Sequence, residues 1–282
     1  MTTLLTSKVQ YSETELFTIL NEIKSGQKTW SEENKKAIVD AMITHIGSPT
    51  SDVRELVYRS FCESIIENQL DHAVLKELMD YSLDNLLHKG IGENGTDTVF
   101  TRAFTTLLID VIIYKDNEKD FLPTETVTRA KDAIVRYIDL EQDLRGYVPV
   151  KGWAHSVAHV ADTCGELLKS EMVDQKDYFK IIEPLLKKYC NAQTVFVHGE
   201  DDRVIKPVLT MLNKEVGIAE LEAFVSEIPD NLKAQKEKLA PEVYWYVMAN
   251  CKSLLKSLYL GVSGDEKYVS LAETVKKSLS AF

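Results

Sequence analysis

Cysteine is scarce in this sequence of 282 residues. The four cysteines are Cys62, Cys164, Cys190 and Cys251. No two of them have the close spacing that a zinc ribbon or a redox motif requires. Each lies within a helical pattern of apolar residues, so we expect reduced thiols in the protein core.

Long apolar runs are also missing. No window approaches the roughly 18 apolar residues that a membrane-spanning helix needs. The first ten residues, MTTLLTSKVQ, have neither the charged leader nor the apolar stretch of a secretion signal. The sequence therefore predicts a cytoplasmic protein without a membrane partner.

Basic residues are fewer than acidic ones. The chain has 33 Lys and Arg residues and 44 Asp and Glu residues, which gives a formal net charge of −11. Such a charge repels a phosphate backbone unless basic residues gather on one face. No basic cluster is visible in the sequence, so nucleic acid is disfavoured as a partner. Hydrophobic residues at 44% and charged residues at 27% are typical of a folded globular chain.

The alternation of polar and apolar residues that is typical of β-sheets is absent, and most segments have the period of an amphipathic helix. Ser12 stands three residues before Glu15, the spacing of a capping box, and Gly26 follows as a stop signal. Ser31 and Gly47 bound the next helix in the same way. The same signals predict further helices over about 50–68, 71–89, 96–115, 123–141, 152–170, 176–190, 200–216, 217–235, 241–261 and 265–281. The predicted fold is all-α, with about twelve helices in six pairs.

Four of these helices open in related ways, which indicates an internal repeat. The segments TSDVRELVYRSF, GTDTVFTRAFTTLL, GWAHSVAHVADTCGELL and GEDDRVIKPVLTML begin roughly 45 to 55 residues apart, close to the about 40–47 residues of HEAT and armadillo units. Three of them pair an early aspartate with a following arginine: Asp52 with Arg54, Asp97 with Arg102, and Asp202 with Arg203. We interpret residues 1–282 as one α-solenoid domain of about six HEAT-like or armadillo-like helical hairpins.

The segment KGWAHSVAHVAD, residues 151–162, carries the candidate site. On a helical wheel of about 100° per residue, His155, His159, Asp162 and Glu166 form one polar stripe, and Trp153 falls on the apolar side. Two histidines four residues apart lie one turn apart, as in helices that present two imidazoles to one zinc ion. The alternative is that the stripe is the solvated face of an amphipathic helix.

Two observations favour a functional stripe. Solvated helix faces elsewhere in the chain are rich in Glu and Lys, whereas two of the six histidines lie on this one stripe. The preceding segment, DLEQDLRGYVPVKGW, forms a polar loop between two predicted helices. Loops held by a rigid scaffold often carry binding residues.

The run DLRGYVPVKGWAHSVAHVADT resembles the signature of an uncharacterised bacterial family of domains of unknown function. The segments GTDTVFTRAF and GEDDRV are similar to two other blocks of that family, and the three together span Gly92 to Met211. The resemblance implies a helical-repeat fold and no particular activity. The positions that match the family are Asp97, Arg102, Asp143, Arg145, Gly146, Lys151, Trp153, His155, His159, Asp162, Glu200, Asp201 and Arg203.

Two functions are compatible with these residues. In the first, a non-enzymatic binding or scaffold protein receives a peptide, a partner protein or a small ligand in a polar groove. The residues expected to line that groove are Asp143, Arg145, Lys151, His155, His159, Asp162, Glu200, Asp201 and Arg203. In the second, a metal-dependent hydrolase holds a divalent ion on His155, His159 and Asp162. Further ligands or a general base would then come from His198, Asp201, Glu200 and Glu166.

Overall fold

The computed structural model of the protein describes residues 4–30 and 32–282, and these residues form twelve α-helices and one short hairpin. The helices are α1 Glu13–Lys24, α2 Glu32–His45, α3 Ser51–Ile66, α4 His72–Tyr81, α5 Thr98–Lys119, α6 Thr124–Leu140, α7 Ser156–Lys169, α8 Tyr178–Cys190, α9 Glu200–Asn213, α10 Ile218–Gln235, α11 Pro241–Val262 and α12 Val269–Leu279. A π-helical turn, Ser82–Leu86, continues α4, and short 3-10 helices at Gln175–Asp177 and Glu266–Tyr268 precede α8 and α12. The strands β1 Tyr147–Val148 and β2 Gly152–Trp153 pair antiparallel between α6 and α7.

The prediction of an all-α fold with about twelve helices is confirmed. It was wrong at one place, where residues 152–155 were assigned to the start of a helix. The chain there forms β2 and an irregular link, and α7 begins only at Ser156. This strand and the link after it carry residues of the candidate site.

The predicted capping signals act as expected around α1. The backbone N–H of Glu15 donates to the Ser12 hydroxyl at 3.4 Å, and the Ser12 N–H donates to the Glu15 carboxylate at 2.8 Å. Gly26 follows the helix with a φ of 74°, in the left-handed region that favours glycine. The predicted N-cap Ser31 lies outside the described residues.

The chain separates into two compact units, Met1–His159 and Val160–Phe282, with the division inside α7. The single domain expected over residues 1–282 stays a prediction. Among the described residues, no helix is both long and apolar enough to cross a membrane.

In the first unit, α3 and α5 form the centre of the packing. Helix α1 packs against α2 and α3, α3 against α5, and α5 also against α4 and α6. The core contains Leu16, Val57, Phe61, Phe104 and Leu108, which are almost completely buried. Burial of such side chains contributes about 1.5–3 kcal/mol each before the entropic cost of ordering them.

In the second unit, α11 has the central position. It packs against α8, α9, α10 and α12, and α10 and α12 also pack on each other. Leu186, Val208, Leu255, Leu271 and Val275 fill this core.

The four cysteines are all free thiols. Three of them, Cys164, Cys190 and Cys251, are buried as expected, whereas Cys62 is only half-buried.

Candidate functional site

The loop between α6 and α7 is organised by two buried carboxylates, of which Glu141 is the first. Its carboxylate accepts hydrogen bonds from Arg102 Nε at 2.6 Å and Arg102 Nη2 at 2.9 Å. Glu141 Oε1 also accepts the backbone N–H groups of Gln142 and Asp143. Arg102 is fully buried, and its Nη1 donates to the carbonyl oxygens of Lys89 and Gly90. Arg102, one of the positions carried over from the family resemblance, therefore joins the start of the loop to the segment before α5.

Asp143 is the second buried carboxylate. It accepts the Gly95 N–H at 2.9 Å, Arg145 Nε at 2.8 Å and Arg145 Nη2 at 2.6 Å. Arg145 Nη2 also donates to the carbonyl of Thr96 at 2.7 Å. The hydrogen bond to Asp143 raises the pKa of Arg145. Asp143 and Arg145, both predicted to line a binding groove, are engaged in fixing the loop.

Arg54 of α3 anchors the far end of the same loop. Its guanidinium is buried, lies 4.1 Å from the Phe100 ring centroid and donates to the carbonyl of Ser48 at 2.5 Å. Nη2 donates to the carbonyl of Lys151 at 2.6 Å and to that of Trp153 at 3.1 Å. Burial lowers the pKa of Arg54 to about 10, so the group stays charged at neutral pH. Arg54 thus holds both ends of β2 against α3.

The hairpin turns tightly at its tip. Lys151 N–H donates to the carbonyl of Val148 at 3.1 Å, which closes a β-turn with Pro149 and Val150 at its centre. Val150 has a φ of 70°, a backbone conformation that is unusual for a β-branched residue. Gly152 has a φ of 76°, and a Cβ at this position would collide with the hydroxyl of Ser51.

One face of the hairpin is buried and the other is exposed. On the buried face, Val148 and the adjacent Ala154 pack with Val99 and Phe100 of α5. On the exposed face, Tyr147 is 51% accessible, Val150 97% and Trp153 37%. We call the side chains of Tyr147, Val150 and Trp153 the hairpin surface.

Aromatic rings continue from the hairpin surface into the core. The Tyr147 and Trp153 rings meet edge to face at 5.0 Å between centroids, and Trp153 stacks on His155 at 4.3 Å. His155 meets His159 at 5.9 Å, and His159 meets Phe104 at 5.2 Å, both nearly perpendicular. These contacts orient the rings and limit the conformational freedom of the hairpin surface.

The structure differs from the helical wheel at three residues of this segment. Trp153 was predicted on the apolar side of a helix, but it lies in β2 with 37% of its surface accessible. His155 precedes α7 and has a φ of 50°, because its N–H donates to the carbonyl of Arg145. His159, expected on the polar stripe, is 7% accessible.

Lys151, another predicted binding residue, extends along the outside of the loop. Its Nζ lies 2.7 Å from each carboxylate oxygen of Asp97, and both side chains are partly exposed. An exposed pair of this kind contributes at most about 1 kcal/mol, so both groups remain accessible to a ligand.

The predicted site residues of the second unit are held by contacts within that unit. Asp162 accepts a hydrogen bond from Arg203 Nε at 2.7 Å and forms a second contact with Arg203 Nη2. Glu200 is buried and accepts the N–H of His198 at 2.8 Å.

Asp201 Oδ2 accepts hydrogen bonds from the hydroxyl groups of Ser253 and Ser257, at 2.8 and 2.6 Å. Burial acts to raise the pKa of Asp201, but the two hydroxyl groups and the backbone N–H groups of Asp201 and Asp202 together outweigh it and lower the pKa. The carboxylate is therefore ionised at neutral pH and links α9 to α11.

The predicted set therefore divides into two classes. One class is held by contacts that stabilise its own unit: Asp143, Arg145, Asp162, Glu200, Asp201 and Arg203. The other lies at or near the hairpin surface: Lys151, His155 and His159. Sequence reasoning did not place Tyr147, Val150 or Arg54 among the site residues, and it treated Arg54 only as the partner of Asp52 in a repeated pair. The signal for the first two was present as YVPVKGW, in which two aromatic residues flank a short segment with Pro and Gly, a pattern that is typical of a hairpin.

Searches of curated proteins and of solved structures give no match to the chain. A family model described as protein of unknown function (DUF2785) matches residues 87–260, which include the hairpin and its anchoring loop. This match extends beyond the Gly92–Met211 span of the sequence resemblance. Because the matched residues are more than half of the 282 in the chain, the protein belongs to the DUF2785 family.

Proposed function

We propose that this protein is a non-enzymatic binding protein and that the hairpin surface is its docking site for a partner protein. The observation that carries the proposal is an exposed cluster of Tyr147, Val150 and Trp153 on a hairpin that buried charged groups hold in place. Trp and Tyr are the residues most enriched among those that dominate the energy of protein interfaces.

The anchoring of the hairpin supports this proposal. Arg54 and Asp143 fix the loop, and the inner face packs on α5, so little conformational entropy remains to be lost when a partner binds. The left-handed conformation at Val150 costs free energy that a glycine would avoid. Backbone strain and an exposed apolar side chain at one tip are typical of a functional segment.

The packing of the helices also supports a binding scaffold. In the first unit α1 packs on α3 and α3 on α5, and in the second α9 packs on α11 and α10 on α12. Contacts between every second helix are typical of stacked helical hairpins. We therefore retain HEAT-like stacking within each unit as part of the proposal, since such repeats usually present binding surfaces.

Site-specific photocrosslinking tests the proposal. A photoreactive phenylalanine analogue replaces Val150 in one variant and Leu260 in a control, because Leu260 of the second unit is also an exposed apolar residue, 79% accessible. We expect position 150 to give a discrete crosslinked species in cells of the source organism, and Trp153→Ala in the same chain to abolish it. Identical crosslinks from both positions, or a species that survives Trp153→Ala, would contradict the proposal.

A divalent metal ion on His155 and His159 is the second candidate, because the separation of the two rings is compatible with one shared ion. Their centroids lie 5.9 Å apart at 86°. Two imidazoles on one zinc ion, with Zn–N bonds of about 2.0–2.1 Å, place their centroids about 5–6 Å apart. A hydrolase using Asp162 as third ligand would first have to release that carboxylate from Arg203. For this reason we rank binding first.

Elemental analysis distinguishes the two candidates. Untagged protein and the His155→Ala, His159→Ala double variant are analysed by inductively coupled plasma mass spectrometry. Stoichiometric zinc, manganese or iron that is lost in the double variant would favour the metal centre. Protein without such a metal that still forms the crosslink at position 150 would favour the binding protein.

A further inference from the structure

The second unit contains a groove of about 380 Å³ between α8 and α10, with α11 as its floor. Side chains from Glu220 to Gln235 line one wall, so that about 22 Å of α10 faces the groove at 1.5 Å per residue. The opposite wall follows α8 from Phe179 to Asn191. The lined stretches of the two helices therefore have the length of three to four helical turns.

The floor of the groove is apolar and uncharged. Buried side chains of Cys190, Ile228, Leu232, Val247 and Cys251 lie at its base. A hydrogen bond to Cys251, together with burial, raises the pKa of Cys190, so this thiol is protonated at neutral pH. Apolar side chains of a ligand would replace water here, which favours binding.

The rim of the groove is acidic. Glu183, Glu220 and Glu227 line it, and the single lysine at the rim, Lys187, pairs with Glu183 at 2.8 Å. Within the described residues 4–30 and 32–282, no lysine or arginine forms an ion pair with Glu220 or Glu227. Three carboxylates and one ammonium leave the rim with a net charge of −2. A ligand that complements it has an apolar face with positive charges on both flanks.

We propose that this groove binds a short amphipathic helix of basic character from a partner protein. The apolar residues of such a helix, at positions i, i+3, i+4 and i+7, enter a groove between two helices in a common mode of peptide recognition. Its lysines and arginines pair with Glu220 and Glu227. Since the groove and the hairpin surface belong to different units, this proposal does not depend on the one made for the hairpin.

A designed peptide of leucine and lysine provides a defined probe. The peptide is amphipathic as a helix of four turns, carries fluorescein and is titrated with the full-length protein by fluorescence anisotropy. A scrambled peptide of equal composition that lacks the apolar face, and a second with glutamate in place of lysine, serve as ligand controls. We expect the amphipathic basic peptide to bind. The affinity of either control peptide should be lower by a factor of about ten or more.

Matched charge reversals test the location. Asp230 is exposed on α10 but does not line the groove, so Asp230→Lys matches the charge change of Glu227→Lys. We expect Glu227→Lys alone to weaken binding clearly more than Asp230→Lys, which should weaken it about twofold or less, and the Glu220→Lys, Glu227→Lys double variant to weaken it about tenfold or more. Circular dichroism and thermal unfolding check that each variant is folded.

A tryptophan at the groove gives an independent readout. Phe224 lies in the lining, and the emission of a Phe224→Trp variant is expected to shift to the blue when the peptide binds. Trp153→Ala is expected to leave the affinity unchanged. The proposal is overturned if no saturable binding occurs, if the scrambled peptide binds equally well, or if Asp230→Lys weakens binding as much as Glu227→Lys.

Discussion

Replacing Val150 by glycine is expected to stabilise the protein and to weaken partner binding. Val150 has a φ of 70° at the second central position of its turn, where glycine is favoured. Its side chain is 97% exposed, so the substitution removes almost no buried surface. The substitution should raise stability but lower the affinity for the partner. A residue that served only stability would not give this combination, so the test is decisive.

The magnitude follows from two opposing terms. A β-branched residue in the left-handed region costs about 1–3 kcal/mol. Glycine in its place loses more conformational entropy on folding, at about 0.5–1 kcal/mol. The Val150→Gly variant should therefore gain about 1 kcal/mol in the free energy of unfolding. For the first unit, which ends at His159, that gain corresponds to a rise in Tm of about 3 °C.

Urea unfolding followed by circular dichroism measures the gain. Val197 provides a matched control, because it is an exposed valine outside the helices with an ordinary backbone conformation. Val197→Gly should lower the free energy of unfolding by up to about 1 kcal/mol. If Val150→Gly is as destabilising as Val197→Gly, the argument from backbone strain is refuted. If Val150→Gly is stabilised but a partner crosslinked from a neighbouring position binds as before, the role of Val150 in docking is refuted.

Three other predictions concern the groups that hold the fold. Glu141→Gln should cost about 3–5 kcal/mol in urea unfolding, because it leaves a buried guanidinium without its carboxylate; a cost below about 1 kcal/mol would contradict this role. Gly152→Ala should cost about 1–3 kcal/mol, since its φ is 76° and a Cβ there meets α3, whereas Gly165→Ala in α7 should be neutral or stabilising. Burial, followed by the charge of Arg136, lowers the pKa of His88, so the unfolded chain takes up a proton first as the pH falls below 6.5. The free energy of unfolding should therefore decline as the pH falls from 6.5 through the folded-state pKa of His88. Urea unfolding between pH 7 and pH 5 measures this decline, and it should be smaller in the His88→Gln variant.

Most helices could be predicted because their signals are local. The Ser12 and Glu15 capping box and the glycine after α1 act within a few residues, and apolar periodicity continues through each helix. The start of α7 could not be predicted in this way. There, Arg54 takes up the carbonyl groups of Lys151 and Trp153, and a contact so distant in sequence leaves no local pattern.

The candidate site could be located from the sequence but its roles could not be assigned. The unusual histidine pair and the polar loop directed attention to residues 143–159, the segment that contains the hairpin. The wheel placed Trp153 inside because it assumed a helix from residue 152, whereas this residue lies in the hairpin. It placed His159 outside, although this ring of α7 packs against Phe104 of α5 and is buried. In the sequence, charged residues also resembled ligand-binding residues. In the structure, most groups that Arg54 and Arg102 bind are backbone carbonyl groups or buried carboxylates of the protein itself.

The reach of Arg54 across the sequence has a consequence for synthesis. The carbonyl groups that it binds come 97 and 99 residues later in the chain. At about 5–20 residues per second, a ribosome needs roughly 5–20 s to deliver them after Arg54 has emerged. During that interval Arg54 has the Ser48 carbonyl but lacks its acceptors at Lys151 and Trp153, so we expect this part of α3 to stay solvated. A nascent chain stalled before residue 151 is thus expected to be cut near α3, and one released a few residues later to be protected.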